Sequence, residues 1–163
     1  MVGFHLDLEG DWVAELECGH NQHVRHRPPF RTRPWVLDEA GRASRLGGRL
    51  DCPLCEQAEM PDGLRFARRS PEWDVRSLPA ALRRAHKLAP GTWGRLVVLD
   101  GRLAFSARTE PPIDRVVEAG ASQAIPPDVE HEVDAEDGVR LFVEFFHVVP
   151  YAERQGAAGT GPD

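Results

Sequence analysis

The chain has 163 residues, 41% of them hydrophobic and 28% charged, with a formal net charge of −6. That is the composition of a globular protein of one ordinary or two small domains. No apolar run approaches the ~18–20 residues that span a bilayer as a helix, the acidic start MVGFHLDLEGDW lacks a signal-peptide pattern, and the negative charge argues against nonspecific nucleic-acid binding. The reading is a cytoplasmic protein with no membrane partner.

Residues 1–59 form the first unit. Trp12 to Cys18 alternates as a strand should, Gly19-His20-Asn21 is a turn, and Gln22 to His26 returns as the second strand of a hairpin. Pro28-Pro29 stops pairing. Arg33 to Leu37 is predicted extended, Asp38 to Arg42 a short helical turn, and Gly47-Gly48 a loop before Asp51-Cys52-Pro53-Leu54-Cys55. So short a unit, poor in large apolar side chains, needs a staple.

A turn-rich linker, residues 60–63 (Met60-Pro61-Asp62-Gly63), leads to a second unit, residues 64–150. Ser77 to Arg84 is locally helical, although the residues after it favour strand. Leu96 to Leu99 and Arg102 to Phe105 flank Asp100-Gly101, a strong hairpin signal. Further strands are predicted at Asp114–Glu118, Ser122–Ile125, Glu130–Val133 and Val139–Phe146. Short strands at this spacing make a sandwich or barrel. Residues 151–163, rich in Gly and Ala, are expected to be a disordered tail.

Three cysteines suit metal binding better than a disulfide framework. Cys52-x-x-Cys55 has the spacing of a metal knuckle, and Cys18-Gly19-His20 sits on a tight turn. Together they offer the four ligands of a closed, structural zinc site. His23 and His26 compete with His20, which is preferred because Cys-Gly-His is the tightest turn. The competing readings are three buried thiols, or a redox-active Cys-x-x-Cys, which lacks the preceding buried strand of a thioredoxin-type unit. The basic run with Arg25, Arg27, Arg31 and Arg33, interleaved with His23, His26, Phe30 and Trp35, reads as a solvated face with Trp35 in a small core rather than a nucleic-acid grip.

In the second unit Pro126-Pro127 fixes a bend before the strand that presents His131. Glu144 lies among apolar neighbours, where a lone carboxylate is costly to bury unless paired or metal-bound. His86 precedes the Pro90-Gly91 turn. Two imidazoles and a carboxylate converging from different strands suit Fe(II), Zn(II) or Mn(II). His147 is an outside candidate, and Trp93 and Phe145 are assigned to the core.

The stretches HKLAPGTWGRLVVLDGRLAF, IPPDVEHEV and LFVEFF, in that order, resemble the cupin-like domain of the tellurite-resistance family. The resemblance covers about half of the chain. It implies a double-stranded β-helix barrel with a metal-binding interior and, by position, His86, His131 and Glu144 as ligands. The His-x-His and following Glu of the broader cupin pattern are missing: Leu88 stands two positions after His86. The N-terminal GDWVAELECGHNQHVRHRPPFRTRPWVL resembles a small family of uncharacterised bacterial domains, and that resemblance implies a zinc-binding module. The expected architecture is mostly β: a small zinc-stapled hairpin module followed by a cupin-like barrel.

Three functions are expected from these features. One is a stress-response protein binding a small anion or small molecule at a divalent metal in the barrel. The second is a metalloenzyme of oxygenase, isomerase or hydrolase type. The third is an adaptor or regulator whose zinc module contacts protein or nucleic acid. A homodimer is an expectation from the fold alone.

Overall fold

The computed structural model describes residues 1–24 and 33–158. Strands β1 (Gly3–Leu6), β2 (Trp12–Glu15) and β3 (Asn21–His23) form an antiparallel sheet in the order β1-β2-β3. The predicted hairpin is β2-β3, with Val13 opposite His23. The additional strand β1 covers the other edge of β2. The turn between β2 and β3 closes through Gly19 N–H to the Leu16 carbonyl (2.9 Å), with Gly19 at φ +90°.

A 3-10 turn at Pro34–Val36 replaces the extended segment predicted there. Pro34 opens the turn, and Val36 is buried. The predicted helical turn is α1 (Glu39–Ala43), whose first turn is capped by the Asp38 carboxylate accepting from Gly41 N–H at 2.6 Å. Helix α2 (Pro53–Glu56) follows, with Cys52 at its N-cap. These pieces enclose a small core of Ala14, Leu16, Val24 and Val36, with Phe4, Trp12 and Trp35 packed against it.

The remaining strands are β4 (Leu64–Arg69), β5 (Trp73–Asp74), β6 (Thr92–Asp100), β7 (Arg102–Ala107), β8 (Ile113–Glu118), β9 (Ser122–Ile125), β10 (His131–Ala135) and β11 (Arg140–Val148). They form a five-stranded sheet, β4-β11-β6-β9 with β5 also on β11, and a three-stranded sheet, β10-β7-β8. The chain is mostly β, as expected. The two sheets share a core: Leu96, Val98, Leu141 and Val143 from the first, Leu103, Phe105, Val117 and Val133 from the second. Alternation is visible on β7, where Leu103, Phe105 and Ala107 are buried.

Asp100-Gly101 does not close the hairpin its sequence predicts. It is a corner where the chain leaves one sheet for the other, since β6 pairs with β11 and β9 while β7 pairs with β8 and β10. Gly101 has φ +69°, and a Cβ there would lie 3.0 Å from the Gly138 carbonyl oxygen and from Val139. Ser77 to Arg84 is a series of turns rather than a helix. The Asp74 carboxylate takes the N–H groups of Arg76 and Ser77 (2.9 and 2.8 Å), which gives the backbone a local alternative to helix.

The tail expectation is corrected over Tyr151–Ala158, which form helix α3. Tyr151 stacks on His5 of β1, with ring centroids 3.6 Å apart and planes 5° from parallel. Residues 159–163, and the stretch 25–32 that holds most of the basic run, lie outside the described residues.

Gly101 and Gly120 both have positive φ, but only Gly101 is crowded. Gly120→Ala is expected to lose about 1 kcal/mol, the cost of a left-handed backbone with a Cβ. Gly101→Ala should lose at least about 1 kcal/mol more, because backbone atoms must also move. Urea unfolding of both variants checks this, and equal losses would refute the crowded corner.

Candidate functional site

Cys18, His20, Cys52 and Cys55 come together from the β2-β3 turn and the start of α2. Their ligand atoms lie within 4.8 Å of one another, forming a group that could hold a metal such as zinc. His20 Nδ1 is 3.5 Å from Cys18 Sγ, 3.4 Å from Cys52 Sγ and 3.6 Å from Cys55 Sγ. A tetrahedral zinc with its usual Zn–S and Zn–N bond lengths sets an S···N edge of about 3.6 Å. The three S···N distances therefore match the edges of such a tetrahedron, and all four ligand atoms lie within 4.8 Å of one another.

The four groups perturb one another's titration. Burial alone would disfavour charge on His20, but hydrogen bonds to the Cys18 and Cys52 sulfurs outweigh it and raise its pKa to about 9. The Cys52 thiol is held far below the usual range by hydrogen bonds with Cys18 and then Cys55. The Cys55 thiol is pushed far above it by Cys18 and then Cys52. Three sulfurs this close cannot all ionise beside one another without a cation, and a bound dication removes the conflict.

His23 is not part of the cluster. His23 lies 3.4 Å from the Asp7 carboxylate, and His26 is outside the described residues. His20 is buried, and its Nε2 has no hydrogen-bond partner among the described residues. Its ring meets Trp93 of β6 edge-to-face, with centroids 5.6 Å apart. The Trp93 indole N–H donates to the Cys18 carbonyl at 2.7 Å. Trp93 is therefore more than core filling: it is fully buried and grips the turn that carries two of the ligands. An indole in a Gly-Thr-Trp-Gly stretch gives no sequence signal for that contact.

The second constellation is only partly assembled. His86 and His131 face each other across an isolated bridge, exchanging backbone hydrogen bonds of 3.0 and 2.9 Å. Their rings are 4.2 Å apart. Each Nδ1 lies 2.9 Å from a backbone carbonyl, Arg84 for His86 and Val129 for His131. A carbonyl only accepts, so Nδ1 carries the proton and the Nε2 lone pair of the neutral ring is left free.

Glu144 is not brought to this pair. Strand alternation puts Val143 and Phe145 towards the shared core and turns Glu144 to the other face of the sheet. There it accepts two hydrogen bonds from Arg95, at 2.8 and 2.6 Å. Arg69 lies over the neighbouring Phe142 ring, 3.5 Å from its centroid. His147 is beside Thr92, with a side-chain contact of 3.5 Å. Among the described residues, no third His, Cys, Asp or Glu joins His86 and His131 in a ligand group.

His131 also lines a cavity of about 300 Å³ with Ser106, Arg108, Thr109, Asp114 and Glu130. Arg108 pairs with Glu130 at 3.1 Å. These residues were not singled out from the sequence, since strand-end Arg, Thr and Glu carry no motif of their own.

Residues 68–143 match the model of the TehB-like domain. Residues 2–59 match the model of a family described as a protein of unknown function, DUF3565. The chain is similar to a crystal structure of an E. coli K12 protein, at 22% identity and TM-score 0.51, over 56% of this chain and 89% of that one. It is also similar to TehB from Haemophilus influenzae, at 22% identity and TM-score 0.51, over 62% of this chain and 42% of that one. At this identity the likeness is one of fold. No curated protein matches the chain.

Burial lowers the His131 pKa to about 4; the Val129 carbonyl opposes this and His86 adds to it. The unfolded ring, near 6.5, takes up its proton first as pH falls, so stability is fully present above pH 6.5 and is lost towards pH 4. The loss expected from this one group is about 3 kcal/mol. Urea midpoints for wild type and His131→Asn across pH 4–7 check it: the variant should show the shallower decline, and parallel declines would refute it.

Proposed function

We propose that the protein is a metal-binding protein in which two sites divide the labour. Cys18, His20, Cys52 and Cys55 hold a structural zinc that stabilises the N-terminal module. His86 and His131 offer two imidazole nitrogens to a divalent metal, Zn, Fe or Mn, whose open positions take a small anion. The proposal keeps the histidines of the expected barrel site and drops Glu144, whose carboxylate is already neutralised by Arg95.

The observation that supports the zinc site is the match of the three distances from His20 Nδ1 to the sulfurs with the S···N edge of a zinc tetrahedron. A closed set of this kind contributes folding energy and leaves no position for a substrate. The second site rests on the two Nδ1–H···O=C bonds, an arrangement that fixes the tautomer and orientation of a metal-ligating histidine. The bound ion would supply the positive charge that attracts an anion. The cavity beside His131 does not, since Asp114, Glu130 and Glu132 line it together with Arg108. The match to the TehB-like domain supports a tellurite-resistance or stress-response setting for this binding.

Metal analysis separates the two sites. Wild type loaded with excess metal should hold two ions per chain. Cys52→Ser should lose the zinc alone and His131→Ala the second ion alone. Calorimetric titration of metal-loaded protein with small oxyanions and carboxylic acids should give binding that His131→Ala abolishes. A second ion insensitive to His131→Ala, or no anion binding across the panel, would refute the histidine site without touching the zinc site.

A further inference from the structure

The zinc ligands are not sealed from solvent. Cys18, Cys52 and Cys55 are each only partly buried. All three line a cleft of about 550 Å³ between the N-terminal module and the β-sheets, walled by Glu17, Arg49, Pro90, Gly91 and Val129 among others. A small molecule in that cleft meets three sulfurs at once. The same cluster holds the module on the five-stranded sheet. The Cys18 carbonyl takes the Trp93 indole N–H, the His20 ring packs on Trp93, and Gly19 faces Pro61 and Val148.

We propose that this cluster is a hydroperoxide-sensitive clasp, in which oxidation of Cys52 and Cys55 to a disulfide expels the metal and frees Trp93 from the N-terminal module. The proposal rests on the zinc reading above. Cys52 and Cys55 are the pair because they are three residues apart on one short segment, Cys52 at the N-cap of Pro53–Glu56 and Cys55 within it. Their sulfurs already lie within 4.8 Å of each other, so a small local adjustment brings them to disulfide distance. Pairing with Cys18 would instead tie α2 to the β2-β3 turn and preserve the clasp.

The chemistry closes on its own reagents. One thiolate sulfur attacks an oxygen of hydrogen peroxide, and the O–O bond breaks. Hydroxide leaves, takes a proton and departs as water, and the sulfur is left as a sulfenic acid. The second thiolate attacks that sulfur, the S–O bond breaks, and a second hydroxide leaves as water with another proton. Two thiolates are oxidised by two electrons, one peroxide is reduced to two waters, and the disulfide that remains is a poor zinc ligand. Cys18 and His20 then hold two of four positions and release the ion. With the turn no longer fixed, the Cys18 carbonyl and the His20 ring leave Trp93, which is fully buried in the closed form.

The test uses the full zinc-loaded chain treated with hydrogen peroxide and read four ways. The readouts are zinc released to a chromogenic chelator, free thiols, peptide mapping by mass spectrometry, and tryptophan emission compared with Trp93→Phe. The expected result is loss of one zinc and two thiols per chain, a Cys52–Cys55 disulfide, and a red shift present in wild type and absent in Trp93→Phe. Thiol reductant with added zinc should reverse all four. Zinc that stays bound with three thiols intact would overturn the proposal, as would a disulfide to Cys18 or zinc release with unchanged Trp93 emission. Untreated protein that binds no zinc would instead refute the metal reading, and the mapped disulfide would still decide the oxidation chemistry.

Discussion

The bond from the Trp93 indole to the Cys18 carbonyl joins the two halves of the molecule at the point where the ligand cluster is built. On one side of it stands a module whose small buried apolar cluster, among the described residues, is Ala14, Leu16, Val24 and Val36. Burying a Val or Leu side chain contributes about 1.5–3 kcal/mol, so such a core offsets little of the entropy of ordering its chain. A structural zinc contributes about 10–16 kcal/mol in small domains. An ion in the proposed zinc site would decide whether the turn is formed, and the turn decides whether Trp93 has its acceptor and its aromatic neighbour. The proposed metal site thereby couples folding of the module to its docking on the sheet.

The carboxylate of Glu144 shows how strand geometry can mislead an inference from burial cost. An acid among Phe142, Val143, Phe145 and Phe146 does need a partner. The partner is a guanidinium on the adjacent strand rather than a metal ion in the core, because Glu144 and Arg95 are opposite one another in the β11-β6 ladder. The same outer face carries Phe142 under Arg69 and Phe146 near Arg95, so β11 presents apolar side chains on both sides. The period-2 signal that would have separated the faces is erased there.

The features legible in the sequence rest on chemistry that does not depend on topology. Cysteine spacing and the Cys-Gly-His turn identified the cluster, and the choice of His20 over His23 came from the tighter turn. Strands such as β7 and β10 were legible because alternation is strict. The Asp100-Gly101 corner was read as a hairpin because positive-φ turn chemistry is the same whether the chain returns along its own sheet or crosses to the facing one. Strand β1 and helix α3 escaped for a related reason: each is held by distant partners, β1 by β2 and α3 through Tyr151 on His5, and neither has a strong pattern of its own.

In the proposed site three sulfurs and His20 Nδ1 bind one zinc ion at the junction of the two modules. X-ray absorption at the zinc edge, on the full chain loaded with one equivalent of zinc, tests it most directly. The expected result is a shell of three sulfurs at about 2.3 Å and one nitrogen at about 2.0–2.1 Å. A shell dominated by oxygen and nitrogen, or a sulfur count of two or fewer, would contradict it.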